Sequence, residues 1–321
     1  MKIISLFSGA GGLDLGLKQT GHNIIWANDI DPDAVKTYQQ NIGKHIVLAD
    51  IGDLHDDMLP EADVVVGGFP CQGFSLANRK RSGDDSRNTL YLQFLRVVKK
   101  TTPLYFLAEN VKGILSLENG MAIQKIISDF SSIGYRVKYQ LFNVADFGIP
   151  QTRCRVIIAG TRGDLPGEAD FDFPQATHSK KNLNQMKPWV SVSEGISGIP
   201  DPDQYPDALP NQVYSRYKVT NRNFTGHRAT DPNKPSPTIL ARGNGGGGVC
   251  AIQHPQNHRR LSVRESAAIQ TFPHNFKFEG TMNSQYRQVG NAVPVMFGKM
   301  LGECLFHAKK RLDNLLMKAK K

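Results

Sequence analysis

The sequence predicts a doubly wound α/β fold with a mostly parallel sheet, joined to a second, smaller and irregular domain. Three observations carry this expectation. Short apolar runs alternate with amphipathic helical patterns up to about Thr161, as parallel strands with right-handed crossovers require. A glycine-rich turn, Ser8-Gly9-Ala10-Gly11-Gly12, joins the first apolar run to the first helix. From Pro166 to His258 the periodicity fades and Pro, Gly, Asn and Ser dominate.

The elements follow in order. Ile3 to Phe7 is a strand, and a helix follows through Leu13, Leu17 and Lys18. Asn23 to Asn28 is the second strand and Asp33 to Ile42 the second helix. Ile46 to Ala49 and Asp63 to Gly68 are the next strands. Thr89 to Lys100 is a helix whose apolar positions include Leu90, Phe94, Val97 and Val98. Leu104 to Ala108 is a strand, Ala122 to Phe130 a helix and Val156 to Gly160 a strand. Helical patterns return at Leu261 to Gln270 and at Val295 to Leu316, and no internal repeat is evident.

Composition narrows the function classes. Of 321 residues, 40% are apolar and 21% charged, which is ordinary for a globular chain. No apolar run is long enough to span a bilayer. The opening MKIISLFSGAGG is too brief for a signal segment and runs into glycines, so a cytoplasmic location is expected. Lys and Arg number 39 against 29 Asp and Glu, a net charge of +10. That excess favours a polyanionic partner, although a basic solvated surface has the same composition. The four cysteines, Cys71, Cys154, Cys250 and Cys304, form no CxxC pair, and the histidines show no ligand spacing. Reduced thiols and no metal are expected.

The glycine turn lets backbone approach a ligand at a helix N-terminus. Position 14 is Asp, so the spacing departs from GxGxxG. Asp29 closes the second strand, where an acid can accept from ribose hydroxyls. Asp50 closes the third and can receive an exocyclic amine. Together these predict a nucleoside pocket at the carboxyl edge of the sheet; a plain strand-turn-helix with surface acids has the same local pattern. Gly67-Gly68-Phe69-Pro70-Cys71-Gln72-Gly73-Phe74-Ser75 then puts a cysteine on a loop after the fourth strand, a place that suits a nucleophile. Arg79, Lys80, Arg81 and Arg87 follow. Their charges can lower a thiol pKa or hold phosphates, or simply solvate a loop.

With these residues in view, the chain resembles a DNA (cytosine-5)-methyltransferase of the bacterial type II restriction–modification kind. The resemblance rests on Phe7-Ser8-Gly9-Ala10-Gly11-Gly12, Gly68-Phe69-Pro70-Cys71-Gln72, Glu109-Asn110-Val111, Gln151-Thr152-Arg153-Cys154-Arg155, Arg264-Glu265 and Gln288-Val289-Gly290-Asn291-Ala292-Val293-Pro294. These stand in the family's order and cover nearly all of the chain outside the irregular region. The resemblance implies a Rossmann-like S-adenosylmethionine-dependent fold, with S-adenosyl-L-homocysteine as product. It implies a catalytic domain of residues 1–176 and 283–321, and a target-recognition domain with hinge at 177–282.

The roles it implies follow the chemistry. Cys71 would add to carbon 6 of a flipped-out cytosine, and Glu109 would serve ring nitrogen 3. Arg155, with Arg153 near the same site, would draw electrons from the base; the strand period of two puts Cys154, between them, on the opposite face, where it reads as core. Phe7, Gly9, Ala10, Gly11, Asp29, Ile30, Asp50, Ile51, Pro70, Leu90 and Asn291 would hold the cofactor. Asn291 would require the C-terminal helix to fold back on the first domain. Asp29 and Ile30 stand where the family often has Glu and an aromatic residue.

Residues Thr177 to Arg260 are expected to read sequence in double-stranded DNA, with Arg216, Lys218, Arg222, Asn223, His227, Arg228 and Arg242 as candidates. Arg79, Lys80, Arg81 and Arg87 would form a lid on phosphates. A monomer is expected, with a cognate restriction endonuclease sharing the site without binding the enzyme. Two alternatives keep the architecture: a transfer-RNA cytosine-5 methyltransferase and a silent DNA-binding regulator. A nicotinamide dehydrogenase would share the glycine turn but leaves the Pro-Cys loop unexplained.

Overall fold

Strand β1 (Lys2–Leu6) lies inside a seven-stranded sheet and is flanked by β2 (Asn23–Asp29) and β4 (Val64–Gly67), the central strand. Beyond β2 lies β3 (Ile46–Leu48). Beyond β4 lie β5 (Tyr105–Val111), β7 (Cys154–Arg162) and edge strand β6 (Tyr135–Asn143). Strands β1 to β5 run parallel, and β7 is antiparallel to both β5 and β6. The expected doubly wound, mostly parallel sheet is present. The computed structural model describes residues 1–69, 89–181, 185–216, 227–228, 230–241, 251–256 and 259–319.

The central strands are covered on both faces, so they read as continuous apolar runs rather than alternating ones. Successive residues divide between two cores. Ile3, Val64, Val66, Tyr105 and Leu107 face one; Ile4, Leu6, Val65, Phe106 and Ala108 face the other. Helices α1 (Gly12–Gln19) and α2 (Pro32–Asn41) cover the first face. Helices α3 (Thr89–Thr101) and α4 (Met121–Ser132) cover the second, where Phe94, Phe106 and Phe130 pack against one another. Helix α2 starts with Pro32 at its first turn and with Asp31 accepting from Asp33 N (3.0 Å) and Ala34 N (3.4 Å).

Three helices lie in the C-terminal part of the chain: α5 (Val263–Ile269), α6 (Met282–Asn291) and α7 (Val295–Ala319). Helix α7 packs on α1 as the expected fold-back requires. The crossing needs glycine, since a side chain at Gly16 would fall 2.4 Å from the Lys299 N and Val295 O atoms. Residues before α6 also bind α2: Asn41 Nδ2 donates to Lys277 O (2.8 Å), and Glu279 N donates to Thr37 Oγ1 (2.8 Å).

Three details differ from expectation. Strand β5 continues three residues past Ala108, so Glu109 lies inside the strand rather than at its end; the ladder with β7 holds these polar residues in extended form. Strand β6 and helix α6 are additions, the one a half-exposed edge and the other mostly polar in sequence. Cys154 is half-buried with a free thiol, not a core residue, because β7 begins there at the sheet edge. Among the described residues no helix is long and apolar enough to cross a membrane, and no cluster of potential metal ligands occurs.

Candidate active site

The chain leaves β1 toward one side of the sheet and returns through β4 to build the other. Such a switch point opens a crevice beyond the carboxyl ends of the strands. Here a cavity of about 410 Å³ occupies it, within the usual range for small-molecule sites. Its described lining comes from the β1–α1 turn, the end of β2, Gly67 to Phe69, Leu90, Glu109 to Val111, Arg153, Arg155 and the segment Gln288 to Val293.

The turn is shaped by left-handed backbone. Phe7 (φ 54) and Gly9 (φ 55) both adopt it, and Phe7 does so without glycine's freedom. A side chain at Gly9 would meet no atom within 4 Å, so the turn is open there. Asp29 Oδ2 accepts from Gly9 N (2.7 Å), and its Oδ1 accepts from Asp31 N (2.8 Å). Burial pushes the Asp29 carboxyl up from its ordinary value, against these hydrogen bonds. Ile30 beside it is 65% exposed yet lines the cavity.

Opposite, β5 and β7 bring a carboxylate to a guanidinium. Val111 pairs with Arg155 and Glu109 with Ile157, so Glu109 and Arg155 are diagonal neighbours. Arg155 Nε lies 2.7 Å from Glu109 Oε1, at an angle that makes this a charge pair rather than a directed hydrogen bond. Both side chains are 14% exposed. A side chain at Gly68 would approach Glu109 Oε2 to 3.2 Å. The backbone leading toward Cys71 therefore passes directly beside this carboxylate. Asn110 Nδ2 donates to Phe69 O (3.0 Å) and ties down that same backbone.

Arg153 and Arg155 both line the cavity, but their guanidinium groups do different things. Arg153 is buried and donates to Ile239 O (3.0 Å) and Gly290 O (3.1 Å). Desolvation lowers it to about 9, with the Arg155 charge acting in the same direction. It latches the sheet edge to two distant segments. Gln151 adds to the latch: its Nε2 donates to Gln270 Oε1 (2.8 Å) and its Oε1 accepts from Ile239 N (2.8 Å).

Of the expected cofactor residues, Phe7, Gly9, Asp29, Ile30, Leu90 and Asn291 are brought together on the cavity. Four others are not on its lining. Ala10 is in the core, and a side chain at Gly11 would strike Ile42 and Tyr38 of the α2 region instead. Asp50 Oδ1 accepts from Gly52 N (2.8 Å), and buried Ile51 offers its carbonyl to Arg96 (2.8 Å). Pro70, Cys71, Arg79, Lys80, Arg81, Arg87, Lys218, Arg222, Asn223 and Arg242 lie outside the described residues. The backbone of His227 and Arg228 pairs with Ala251 and Ile252. Arg216 is bound within the protein, to Asp203 (2.8 Å) and over the Tyr214 ring.

Sequence reasoning missed Asn110 and Asp14 as site residues. Within Glu109-Asn110-Val111 the sequence pattern gives Asn110 no role, because its partner Phe69 O is distant in sequence. Asp14, noted only as a departure from GxGxxG, is a buried acid on the cavity wall.

Comparison with known proteins gives the family. The family model for the C-5 cytosine-specific DNA methylase matches residues 1–307. The type II methyltransferase M.NgoFVII of Neisseria gonorrhoeae is 39% identical over 91% of this chain and 83% of its own length. M.MthTI of Methanothermobacter thermautotrophicus, another type II methyltransferase, is 35% identical over 98% of this chain and 99% of its own. A prophage-encoded protein of E. coli superimposes with a TM-score of 0.73 at 25% identity, covering 97% of this chain and 99% of that one. Matched by the family model over residues 1–307 and by relatives at 35–39% identity over most of its length, the chain belongs to the C-5 cytosine-specific DNA methylase family.

Proposed function

We propose that the chain transfers a methyl group from S-adenosylmethionine to carbon 5 of a flipped-out cytosine at a specific site in double-stranded DNA. One observation carries this reading: the Glu109–Arg155 pair and the backbone that leads into Pro70-Cys71 meet at one rim of the switch-point cavity. The opposite rim holds the glycine turn and Asp29.

The residues present fit the cofactor. Gly9 leaves room for a ligand, Asp29 offers carboxylate lone pairs beneath Ile30, and Leu90 and Asn291 lie on the same cavity. When bound, S-adenosylmethionine supplies an electrophilic methyl group. Carbon 5 of cytosine is too weak a nucleophile to take it unaided. The Cys71 thiolate forms a bond to carbon 6, and the ring electrons move toward nitrogen 3, where the Glu109 carboxyl acts. Arg155 beside Glu109 draws density from the base at its carbonyl. Carbon 5 thereby becomes nucleophilic toward the methyl group that the bound cofactor would supply. Solvent takes the carbon 5 proton, the carbon 6–sulfur bond breaks to return the Cys71 thiolate, and nitrogen 3 gives its proton back to Glu109 as the ring is restored. Arg153 and Gln151 hold the edge on which this pair stands.

The base inside a duplex is out of reach of a thiol, so the target must leave the stack. The net charge of +10 supports a phosphate-bound partner. Residues 1–176 with 283–321 form the catalytic part in this reading, and residues 177–282 supply target recognition and the hinge. The named relatives are type II methyltransferases, which supports protection against a cognate restriction endonuclease as the role.

The test is to incubate the protein with unmethylated plasmid and S-adenosylmethionine and to map modified cytosines by bisulfite sequencing. Methylation at one short motif, absent with Cys71→Ala, is expected. DNA left unmethylated by the wild-type protein would overturn the reading and make transfer RNA the next substrate to try. A 5-fluorocytosine duplex should also trap an adduct that survives denaturation and disappears with Cys71→Ala.

A further inference from the structure

We propose that Asp14 is the anionic subsite for the cationic methionine end of the cofactor, a role that rests on the methyl-transfer reading above. Asp14 lies in the first turn of α1, is 1% exposed and lines the cavity. Its Oδ1 accepts from Ser5 Oγ (2.7 Å) and its Oδ2 from Tyr38 OH (2.8 Å). Ser8 Oγ donates to Ser5 Oγ (3.1 Å) and joins the pair to the glycine turn. Both groups that hold the carboxylate are neutral hydroxyls. Among the described residues, Asp14 forms no ion pair.

A buried carboxylate ordinarily has a cation beside it. The surrounding charges do not supply one. Lys18, one turn along α1, gives its ammonium to Ile42 O (2.8 Å). His45 reaches only the far side of Tyr38, with its Nε2 3.1 Å from the hydroxyl, and burial lowers its pKa. The other acids on the cavity are engaged differently. Asp31 caps α2 and pairs with Arg287 (2.8 Å), Glu109 pairs with Arg155, and Asp29 accepts two backbone N–H groups. The cationic side chains on the lining, Arg153 and Arg155, are held by Ile239 and Gly290 carbonyls and by Glu109. The segment Gln288 to Val293, facing α1, brings no charged side chain.

A ligand that carries its own cation would complete Asp14. The methionine end of S-adenosylmethionine has two cationic centres, an α-ammonium and a sulfonium. Burial pushes Asp14 up to about 6, while the hydrogen bonds from Ser5 and Tyr38 and the Lys18 charge act against it. The ionised form binds the cation, so affinity falls as pH drops through that value. Asp29 is raised as well, but it faces the ribose side, and its titration affects every nucleoside ligand alike.

Calorimetric binding of three ligands tests this without turnover. S-adenosylmethionine carries both cations, S-adenosylhomocysteine only the ammonium, and 5′-methylthioadenosine neither. Asp14→Asn should weaken the first two by about 10- to 100-fold, the range for a charged hydrogen bond. Binding of 5′-methylthioadenosine should stay unchanged and show that the pocket is folded. The variant should also lose that part of the wild-type decline in S-adenosylmethionine affinity between pH 7.5 and pH 5.5 which 5′-methylthioadenosine does not share. Weakening of S-adenosylmethionine alone would assign the contact to the sulfonium. Equal weakening of all three ligands, or of none, would overturn the proposal. A second variant, Ser5→Ala, removes a hydrogen bond that favours the carboxylate, so it should move the midpoint of the pH dependence upward. A wild-type protein that binds no S-adenosylmethionine would count against the methyl-transfer reading itself, a separate outcome.

Discussion

Strand β4 and helix α5 are both buried from end to end, yet they are built from opposite materials. β4 is Val-Val-Val-Gly, held by apolar contact on both faces. Helix α5 carries Arg264 and Glu265 into the interior, and Gln270 follows at its end. Arg264 donates from Nε to Pro210 O (2.8 Å), from Nη1 to Pro273 O (3.1 Å) and from Nη2 to Phe276 O. Gln270 Nε2 donates to Val289 O (2.7 Å) and Ala292 O (3.1 Å). The sheet can be stabilised by any residues of suitable volume and pattern. The α5–α6 region is specified by particular donors meeting particular carbonyls, and it closes the cavity by doing so. Its Gln288 Nε2 donates to Glu279 O (2.9 Å), while Thr37 Oγ1 donates to Gln288 Oε1 (2.6 Å).

The sharpest contrast is in rate, because Glu109 belongs to the sheet and is the residue proposed to act on the base. Glu109→Gln keeps the shape of the side chain and should lower kcat by about 10²- to 10⁴-fold, the usual reach of a positioned acid or base. Binding of S-adenosylmethionine should stay within a factor of two or so, as expected for a group that acts on the base. Single-turnover methylation with saturating cofactor separates these quantities. A variant with near wild-type kcat would reduce Glu109 to a partner for Arg155.

The next contrast is in stability. Arg259 meets Glu265 through two 2.8 Å hydrogen bonds, with side chains 8% and 2% exposed. Glu265 also completes the capping box of α5 by accepting from Ser262 N (2.7 Å). Glu265→Gln leaves a buried guanidinium short of its counter-charge and should cost about 3–5 kcal/mol in urea unfolding. In the sheet, Leu107→Ala should cost a similar 2–5 kcal/mol, but by opening a cavity. The two can be told apart by a second change. An apolar partner of similar size in place of Leu107 should recover most of the loss, whereas Glu265→Leu should not recover it. Equal rescue at both positions would erase the distinction drawn here.

That distinction also accounts for what was legible in the sequence. Strands β1 to β4 and helices α1 to α3 lie within two residues of their expected bounds, because apolar runs and period-3.6 stripes set them. Asp29 was legible as a site candidate because an acid at a strand end falls on the carboxyl edge of a parallel sheet, whereas Glu109 and Arg155 were picked out by the family resemblance. Helix α6 was not, since MNSQYRQVGN offers little apolar pattern. Its burial comes from Gln288, from Val289 and from Tyr286, whose hydroxyl donates to Leu261 O (2.6 Å). Asp14 was out of reach for the same reason. Its partners Ser5 and Tyr38 lie on other elements, and no local spacing announces them. The split between Arg153 and Arg155 was hidden too, because it depends on carbonyls of Ile239 and Gly290 far along the chain.

A smaller effect probes the latch itself. Gln270→Leu removes the donor that serves Val289 O and Ala292 O and the acceptor for Gln151. The loss of buried partners should cost about 1–3 kcal/mol. It should also disturb the cavity wall at Asn291 to Val293, so cofactor affinity should fall with stability. A core change in the sheet far from the cavity, such as Phe130→Leu, should lower stability without that loss of affinity. Calorimetry beside urea unfolding reads both quantities on the same protein.

The smallest effect comes from putting the same charge chemistry on the surface. Lys125 and Asp129 form an i,i+4 pair at 2.9 Å on α4, with side chains 54% and 26% exposed. Water solvates both groups when they separate, and the long lysine side chain loses rotamer freedom when they meet. Lys125→Ala should therefore change stability by only about 0.3–0.5 kcal/mol, a loss further offset by the better helix propensity of alanine. Added salt should shrink the difference, because exposed pairs are screened. The Glu265→Gln cost should hardly move with salt, since Arg259 and Glu265 are shielded from ions by the fold. Urea unfolding of both variants at low and high salt would show whether burial, rather than charge itself, sets the large cost in the α5 region. A Lys125→Ala loss as large as that of Glu265→Gln would mean that burial is not the controlling variable.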